Sequence, residues 1–393
     1  MFGEAAQRGH VAKFFDAIGR IRGRSNAQFP NGLRSFTGRS LCLFLISAAV
    51  FSLLSYPTAA VAQDKVLEIG VLAIGPRNIP TWHCGQQDYQ PGSSEPLRET
   101  RPFYVPGLID GLEKLGYVED RADTVNTPGR RFRIQLRMGN QTQLRNYARE
   151  FVEEKIDFIV AIATVAVRIA QEETRAYPIP ILFPGISDPI ADGFVESLAH
   201  PGGHITGVSH QQVQGSAKRV ELFQEMIPGL RRMITLRKSG YGPSQNSMVE
   251  IRSAAERLHI DVLDWTANDR SELQDVLTKA RRENADGIMM LADAFMISNI
   301  DLIVESSLAQ RVPLFGLQDF MADWGAIAAY GPSTYQAGAR VAGYIDKIVK
   351  GADPGQLPVE PLDPILVVNM KAAACIGVSL PLDVLSQADR VIR

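Results

Sequence analysis

No apolar stretch of this sequence reaches the roughly 20 residues that a membrane-crossing helix needs. The greasiest, residues 41–54 (LCLFLISAAVFSLL), stops short. Cysteine is scarce: Cys42, Cys84 and Cys375 are the only three in 393 residues, and their spacing fits no zinc pattern. Catalytic signatures are missing as well. There is no G-x-S-x-G nucleophile elbow, no phosphate loop ending in Gly-Lys-Ser/Thr and no H-E-x-x-H. The stretch Gly70-Val71-Leu72-Ala73-Ile74-Gly75 has glycines, but not at the dinucleotide-binding spacing. His200, His204 and His210 surround the turn Pro201-Gly202-Gly203 without partnering acids or cysteines, which argues for surface residues over a metal site. Neither an enzyme nor a metal or cofactor is expected.

Neither sign of charge dominates, since 41 Lys and Arg face 43 Asp and Glu for a formal net charge of −2. The asymmetry is local. Residues 1–40 carry Arg8, Lys13, Arg20, Arg22, Arg24, Arg34 and Arg39 against Glu4 and Asp16, ahead of the apolar run and Ala60-Val61-Ala62. A basic flank, a short apolar core and a small-x-small end describe a secretory signal peptide over residues 1–62, with cleavage expected after Ala62. An uncleaved N-terminal anchor is the alternative, and the long flank leaves room for a start downstream of Met1. Removing those seven cations and two anions takes the net charge from −2 to −7. A mildly acidic exported chain is a poor partner for nucleic acid. An oxidising compartment permits a bridge between Cys84 and Cys375, but nothing in the sequence brings the two together.

From residue 66 onward, short apolar runs alternate with amphipathic stretches. Strands are expected at 66–74, 132–138, 158–162 and 179–183, and helices at 104–115, 143–154 and 165–174, the first stopped by Gly116. Near-continuous apolar strands separated by helices indicate a parallel sheet covered on both faces, a doubly wound α/β unit. The rhythm restarts after Ser209. Helices are expected at 217–226, 247–258, 272–282 and 296–308, and strands at 233–236, 260–265, 287–291 and 312–315. A long helix at 335–349 ends at Gly351, and the Pro-rich stretch 353–364 reads as an extended surface connector. A strand at 365–368 and a helix at 370–376 follow.

Residues 76–102 break the pattern with Pro, Gly, Ser and Gln around Trp82, His83, Cys84 and Tyr89. Leaving the carboxyl end of a strand, this segment reads either as a lid over a cleft or as a solvent-exposed insertion. The stretch 182–209 (LFPGISDPIADGFVESLAHPGGHITGVS) delivers Ser187 and Asp188 at a strand end. Pro189 suits the first position of a helix that Ser187 or Asp188 would cap, and such a helix start suits a carboxylate.

That stretch resembles the signature of the ABC transporter substrate-binding family typified by tryptophan- and tyrosine-type binding proteins. The resemblance continues through Lys218-Arg219-Val220-Glu221-Leu222-Phe223 with Ile227-Pro228-Gly229-Leu230, and through Ala329-Tyr330-Gly331-Pro332. It extends to Ile348-Val349-Lys350-Gly351 with Leu357-Pro358-Val359-Glu360, and to Val368-Asn369-Met370-Lys371-Ala372-Ala373. It implies a type I periplasmic binding fold: two Rossmann-like lobes with parallel sheets, joined by three crossing strands and closing on a ligand. Lobe one would hold 63–209 plus about 330–352, and lobe two 210–329 plus about 353–393. By position, lobe one would offer Ile74 and Gly75, Ala163 and Thr164, and Ser187 and Asp188. Lobe two would offer Ser239, Gly240 and Tyr241, then Asp293, and Gln318 with Asp319, while Tyr330 and Gly331 would lie near a crossing.

The same resemblance implies a periplasmic monomer that captures a small organic molecule, such as an amino acid or aromatic acid, and docks on an ABC permease in the inner membrane. A ligand-sensing module for a receptor kinase, or an enzyme on the same scaffold, is the alternative. Three departures fall on the cleft loops. Ala163-Thr164-Val165 stands where the family commonly has a Gly-Thr-Pro-like turn, Arg237-Lys238-Ser239-Gly240-Tyr241 stands where it has Asn-Pro, and 76–102 is an unusual insertion. The ligand therefore does not carry over. Asp293 suits either a ligand amine or a helix cap; Arg237 and Lys238 suit a ligand carboxylate or plain solvation; Trp82 and Tyr241 could stack on a ring. Trp265 and Trp324 read as packing residues.

Overall fold

The computed structural model describes residues 65–74, 104–124, 127–210, 215–280, 283–291 and 294–393. The expected leader, the 76–102 insertion, Gly75 and Asp293 lie outside the described residues. Lys65–Arg393 form a single compact unit.

Its first part runs β1 (Leu67–Ala73), α1 (Tyr104–Lys114), β2 (Tyr117–Glu119), β3 (Arg130–Met138), α2 (Gln141–Glu153), β4 (Phe158–Ile162), α3 (Thr164–Glu173), β5 (Ile181–Ile186) and β6 (Ile205–Ser209). Strands β1, β4, β5 and β6 are apolar because both faces are covered, and Ile69, Val71, Leu72 and Phe183 are fully enclosed, whereas β3 carries four arginines and is only partly buried. Then follow α4 (Ser216–Met226), β7 (Arg232–Arg237), α5 (Gly242–Arg257), β8 (Asp261–Thr266), α6 (Arg270–Leu277), β9 (Gly287–Met290), α7 (Ala294–Ser298), α8 (Ile300–Gln310), β10 (Leu314–Gly316), α9 (Asp319–Asp323) and β11 (Ala328–Pro332). The chain ends with α10 (Thr334–Val349), β12 (Glu360–Pro361), β13 (Pro364–Asn369), α11 (Met370–Ile376), α12 (Leu382–Gln387) and β14 (Arg390–Ile392).

These strands make two seven-stranded sheets, ordered β12-β6-β5-β4-β1-β3-β2 and β14-β13-β11-β10-β9-β7-β8. Among the described residues every pairing is parallel except β11 with β13. The doubly wound α/β architecture expected from the sequence is the one observed, with two lobes each built on its own sheet. On the first sheet, α1 and α10 cover one face and α2 and α3 the other. The chain passes between the sheets three times, after Ser209, after Pro332 and after Pro361.

Several boundaries differ from the sequence reading. Residues 328–332 belong to the second sheet, so the return to lobe one comes at Ser333 and not at about 330. Residues 353–361 stay with lobe one rather than running over the surface towards lobe two. Thr206 donates to the Leu357 carbonyl at 2.7 Å, Val359 N–H to Leu198 at 2.7 Å, and Glu360 pairs with Val208. No helix follows Pro189: Asp188 Oδ1 accepts the Ala191 N–H at 3.0 Å, and Gly193, at φ 71°, ends the turn. The expected helix at 296–308 is two, broken at Asn299, whose side chain donates to the Phe295 carbonyl at 2.8 Å. Helix α2 starts earlier than expected because Asn140 and Gln143 form a reciprocal capping box.

The crossing of α1 over α10 decides where the second sequence segment of lobe one sits. A methyl group on Gly338 would lie 1.9 Å from the Tyr104 carbonyl oxygen, and one on Gly107 1.9 Å from that of Tyr335. Only two bare backbones allow so close an approach. Gly338→Ala is expected to lower the unfolding free energy by about 1–3 kcal/mol, read as a lower midpoint in urea denaturation; an unchanged midpoint would contradict this packing.

Candidate functional site

Parallel strands leave their carboxyl ends side by side, and in open α/β sheets that edge is where ligands bind. The first lobe brings three of its expected segments together there. Ala73 pairs with Ile162, so Ile74 leaves β1 beside Ala163 and Thr164 at the end of β4. Ser187 and Asp188 follow β5, the next strand along. Ala163, which stands just before α3, has φ 83° and ψ 149°. That conformation belongs almost exclusively to glycine and stores about 1–3 kcal/mol in any other residue. An alanine thus keeps the glycine geometry of the turn at the expense of strain.

Around Ala163 the polar groups converge. Thr164 Oγ1 donates to Asp192 Oδ2 at 3.3 Å, and the Arg168 guanidinium donates to the Asp192 carbonyl at 2.8 Å while lying 5.0 Å from the Phe194 ring centroid. Burial pushes the Asp192 carboxyl above its ordinary value; the Thr164 bond and Arg168 oppose the shift, and the nearby Asp188 charge adds to it. Asp188 itself is exposed. Asp192 was not among the expected site residues, because its approach to Thr164 depends on the turn that replaces the anticipated helix.

The second lobe presents a cation and aromatic rings along its own edge. Lys238, exposed just after β7, holds its ammonium 6.0 Å from the Phe295 ring centroid. Arg237 is committed elsewhere, through paired bonds of 2.8 Å to Asp264. Tyr241 is half-buried immediately before α5. Trp265 and Trp324 pack into the second core, Trp324 edge-on to Phe320 at 4.7 Å, as packing residues should.

Three further expected residues lie at the crossings. Gln318 Nε2 is 3.2 Å from both Tyr104 Oη and His210 Nδ1, so it joins the start of α1 in lobe one to the first crossing. The Tyr104 and His210 rings stack with centroids 6.1 Å apart and planes 12° apart. His210 is 3% exposed, and burial lowers its pKa to about 4, with the Pro184 carbonyl opposing the shift. Burial, then the charge of Asp319, pushes Tyr104 above its ordinary value. Asp319 accepts the Thr334 hydroxyl at 2.7 Å and the Thr334 N–H at 3.0 Å, fixing the second crossing; burial raises its pKa against those bonds. The Tyr330 carbonyl accepts from Arg219 Nε at 2.9 Å, and its half-buried ring packs against the second core. The Arg219 guanidinium is lowered to about 10 by burial.

No three His, Cys, Asp or Glu side chains among the described residues are grouped to hold a metal. No helix among them is long and apolar enough to cross a membrane.

A family model described as ABC transporter substrate binding protein matches residues 99–392. The tyrosine-binding protein of Clostridioides difficile (strain R20291) is 22% identical over 257 residues, covering 65% of this chain and 71% of that protein. A Streptococcus pneumoniae ABC domain solved in complex with L-Trp is 24% identical, with a TM-score of 0.63 over 82% of this chain and 100% of the other. A conserved domain protein from Vibrio cholerae is 26% identical, with a TM-score of 0.64 over 83% of this chain and 100% of the other.

Relief of the strain at the first-lobe turn is measurable. Ala163→Gly is expected to stabilise the chain by about 1 kcal/mol, the strain removed less the added flexibility of the unfolded glycine. Thermal and urea unfolding would show it, and a loss of stability would mean that the turn is not held as described.

Proposed function

The chain belongs to the ABC transporter substrate-binding protein family, and from that premise we propose that it captures an amino acid between its lobes and delivers it to a membrane permease. The observation that carries this reading is the opposite chemistry of the two sheet edges. Lobe one offers Asp192 and Asp188 beside the Thr164 hydroxyl, which suit a ligand ammonium. Lobe two offers the Lys238 ammonium for a carboxylate, with Phe295 and Tyr241 beside it for an aromatic side chain. A ligand bound by groups from both edges gains most when the lobes close together. The tyrosine-binding relative and the tryptophan-bound structure support the amino-acid class.

In this reading Ile74, Ala163 and Ser187 shape the first-lobe wall. Gln318, Asp319 and Tyr330 act at the crossings instead of on the ligand, because their polar groups are already engaged. Residues 1–62 direct export to the periplasm, where the chain works as a monomer with the permease as its partner.

Binding is read by the rise in melting temperature that a ligand of the folded state produces. L-Tyrosine or L-tryptophan is expected to raise it, while the corresponding deaminated acids are not. Asp192→Asn should weaken the amino acid by about 10- to 100-fold through loss of a charge-assisted hydrogen bond. A shift with no amino acid, or one indifferent to Asp192, would refute the assignment.

Export makes a second prediction. Cys375 is disulfide-bonded, and cleavage after Ala62 removes Cys42 and leaves Cys84 as its one possible partner within the chain. Peptide mapping of periplasmic protein without reduction should recover Cys84 linked to Cys375, with Gln63 as the first residue; a free Cys375 thiol would contradict it.

A further inference from the structure

His210 stands where the chain first leaves the first sheet, and it is enclosed by residues from both lobes. Tyr104 stacks on it from α1, Gln318 reaches its Nδ1 from the turn after β10, and the end of β5 closes its other side. A methyl group on Gly185 would lie 1.9 Å from His210 Nε2, so the imidazole edge rests directly on the β5 backbone. His210 Nε2 is buried and has no well-formed hydrogen bond among the described residues, with only the Pro184 carbonyl favouring the protonated ring. We propose that this imidazole is a proton-sensitive brace between the lobes: neutral His210 holds them closed, and proton uptake releases them.

The chemistry follows from the surroundings. With Gln318 donating to Nδ1, the neutral ring carries its hydrogen on Nε2. Protonation turns Nδ1 from acceptor to donor, so that bond breaks or the amide turns over. Either way an imidazolium is left enclosed, and a buried charge without a counter-charge is strongly disfavoured. The neighbours among the described residues offer none. From α1 comes the Tyr104 phenol, and Pro184 and Gly185 of β5 do not titrate. Asp319, next to Gln318, is occupied by Thr334 and Phe320. Arg219 in the first turn of α4 is itself a cation, held on the Tyr330 carbonyl. Residues 211–214 are Gln211, Gln212, Val213 and Gln214, none of them ionisable.

The sign is fixed by these facts. Enclosure holds the group at about 4, below its ordinary 6.5, so the enclosed state binds fewer protons than a hydrated one. The brace contributes fully above 6.5 and is lost as pH falls from 6.5 towards 4. Between about pH 7.5 and about pH 5 the closed-to-open ratio should fall by about 30-fold if opening hydrates the ring completely.

This inference rests on the two-lobed amino-acid receptor proposed above, and its test separates the two. Small-angle X-ray scattering of the chain by itself and calorimetric titration with L-tyrosine are run across the same pH range. The radius of gyration should rise on acidification and tyrosine affinity fall by up to about 30-fold, while both stay flat in His210→Gln. Gln318→Glu sets a carboxylate against Nδ1 that stabilises the enclosed imidazolium, so it should suppress the opening on acidification, which serves if His210→Gln does not fold. A constant radius in the unaltered chain, a His210→Gln profile that follows the unaltered one, or a Gln318→Glu radius that still rises on acidification as in the unaltered chain overturns the brace. Failure of tyrosine to bind at any pH overturns the ligand assignment instead, and the scattering still decides the brace.

Discussion

Three short crossings tie two parallel sheets together, and everything functional in this chain depends on how those crossings are held. The first carries His210, the second begins at Ser333 with Thr334 on the Asp319 carboxylate, and the third joins β12 to β13. Polar bonds dominate at these places, whereas the interior of each lobe is packed with aliphatic and aromatic side chains. The difference has a physical consequence. Apolar cores resist shear because close packing leaves few alternative arrangements. A few hydrogen bonds between lobes can exchange for water at small net cost. Rigid lobes on adjustable joints are what capture by closure requires.

The same logic divides the polar residues into two groups. At the sheet edges, Asp188 and Lys238 remain exposed, and Asp192 is half-buried beside Thr164. At the crossings, Gln318, Asp319 and Arg219 are buried with their bonding partners chosen. The glycine-type conformation of Ala163 belongs with the first group. Strain of that kind persists where the surrounding structure over-determines a turn, and β4, α3 and the Asp192 turn meet there.

Much of the architecture was legible in the sequence because a buried parallel strand needs an unbroken apolar run, and such runs recur from Ile69 to Val368. The restart after Ser209 marked where a second αβ rhythm begins. Contacts between distant segments left no such trace. Nothing beside Pro189 announces that Gly193 closes a turn before a helix forms, and so Asp192 was missed. His210 looked like one of three loop histidines, because Gln318 and Tyr104 lie 108 residues after it and 106 before it in the chain. Residues 353–361 read as a connector for the same reason: their partners Leu198, Gly202 and Thr206 precede them by some 150 positions. Gln318 and Asp319 were expected at the site by position at a strand end, but position did not disclose that each was already bonded.

The central claim is that one amino acid is held by both lobes at once, its ammonium on the Asp192 side and its carboxylate on the Lys238 side. A crystal structure of the protein grown with L-tyrosine tests it most directly. The account predicts a single tyrosine between the sheet edges, within hydrogen-bond distance of Asp192 or Thr164 and of Lys238, with its ring against Phe295 or Tyr241. A tyrosine touching only one lobe, or lying away from both strand edges, would contradict it.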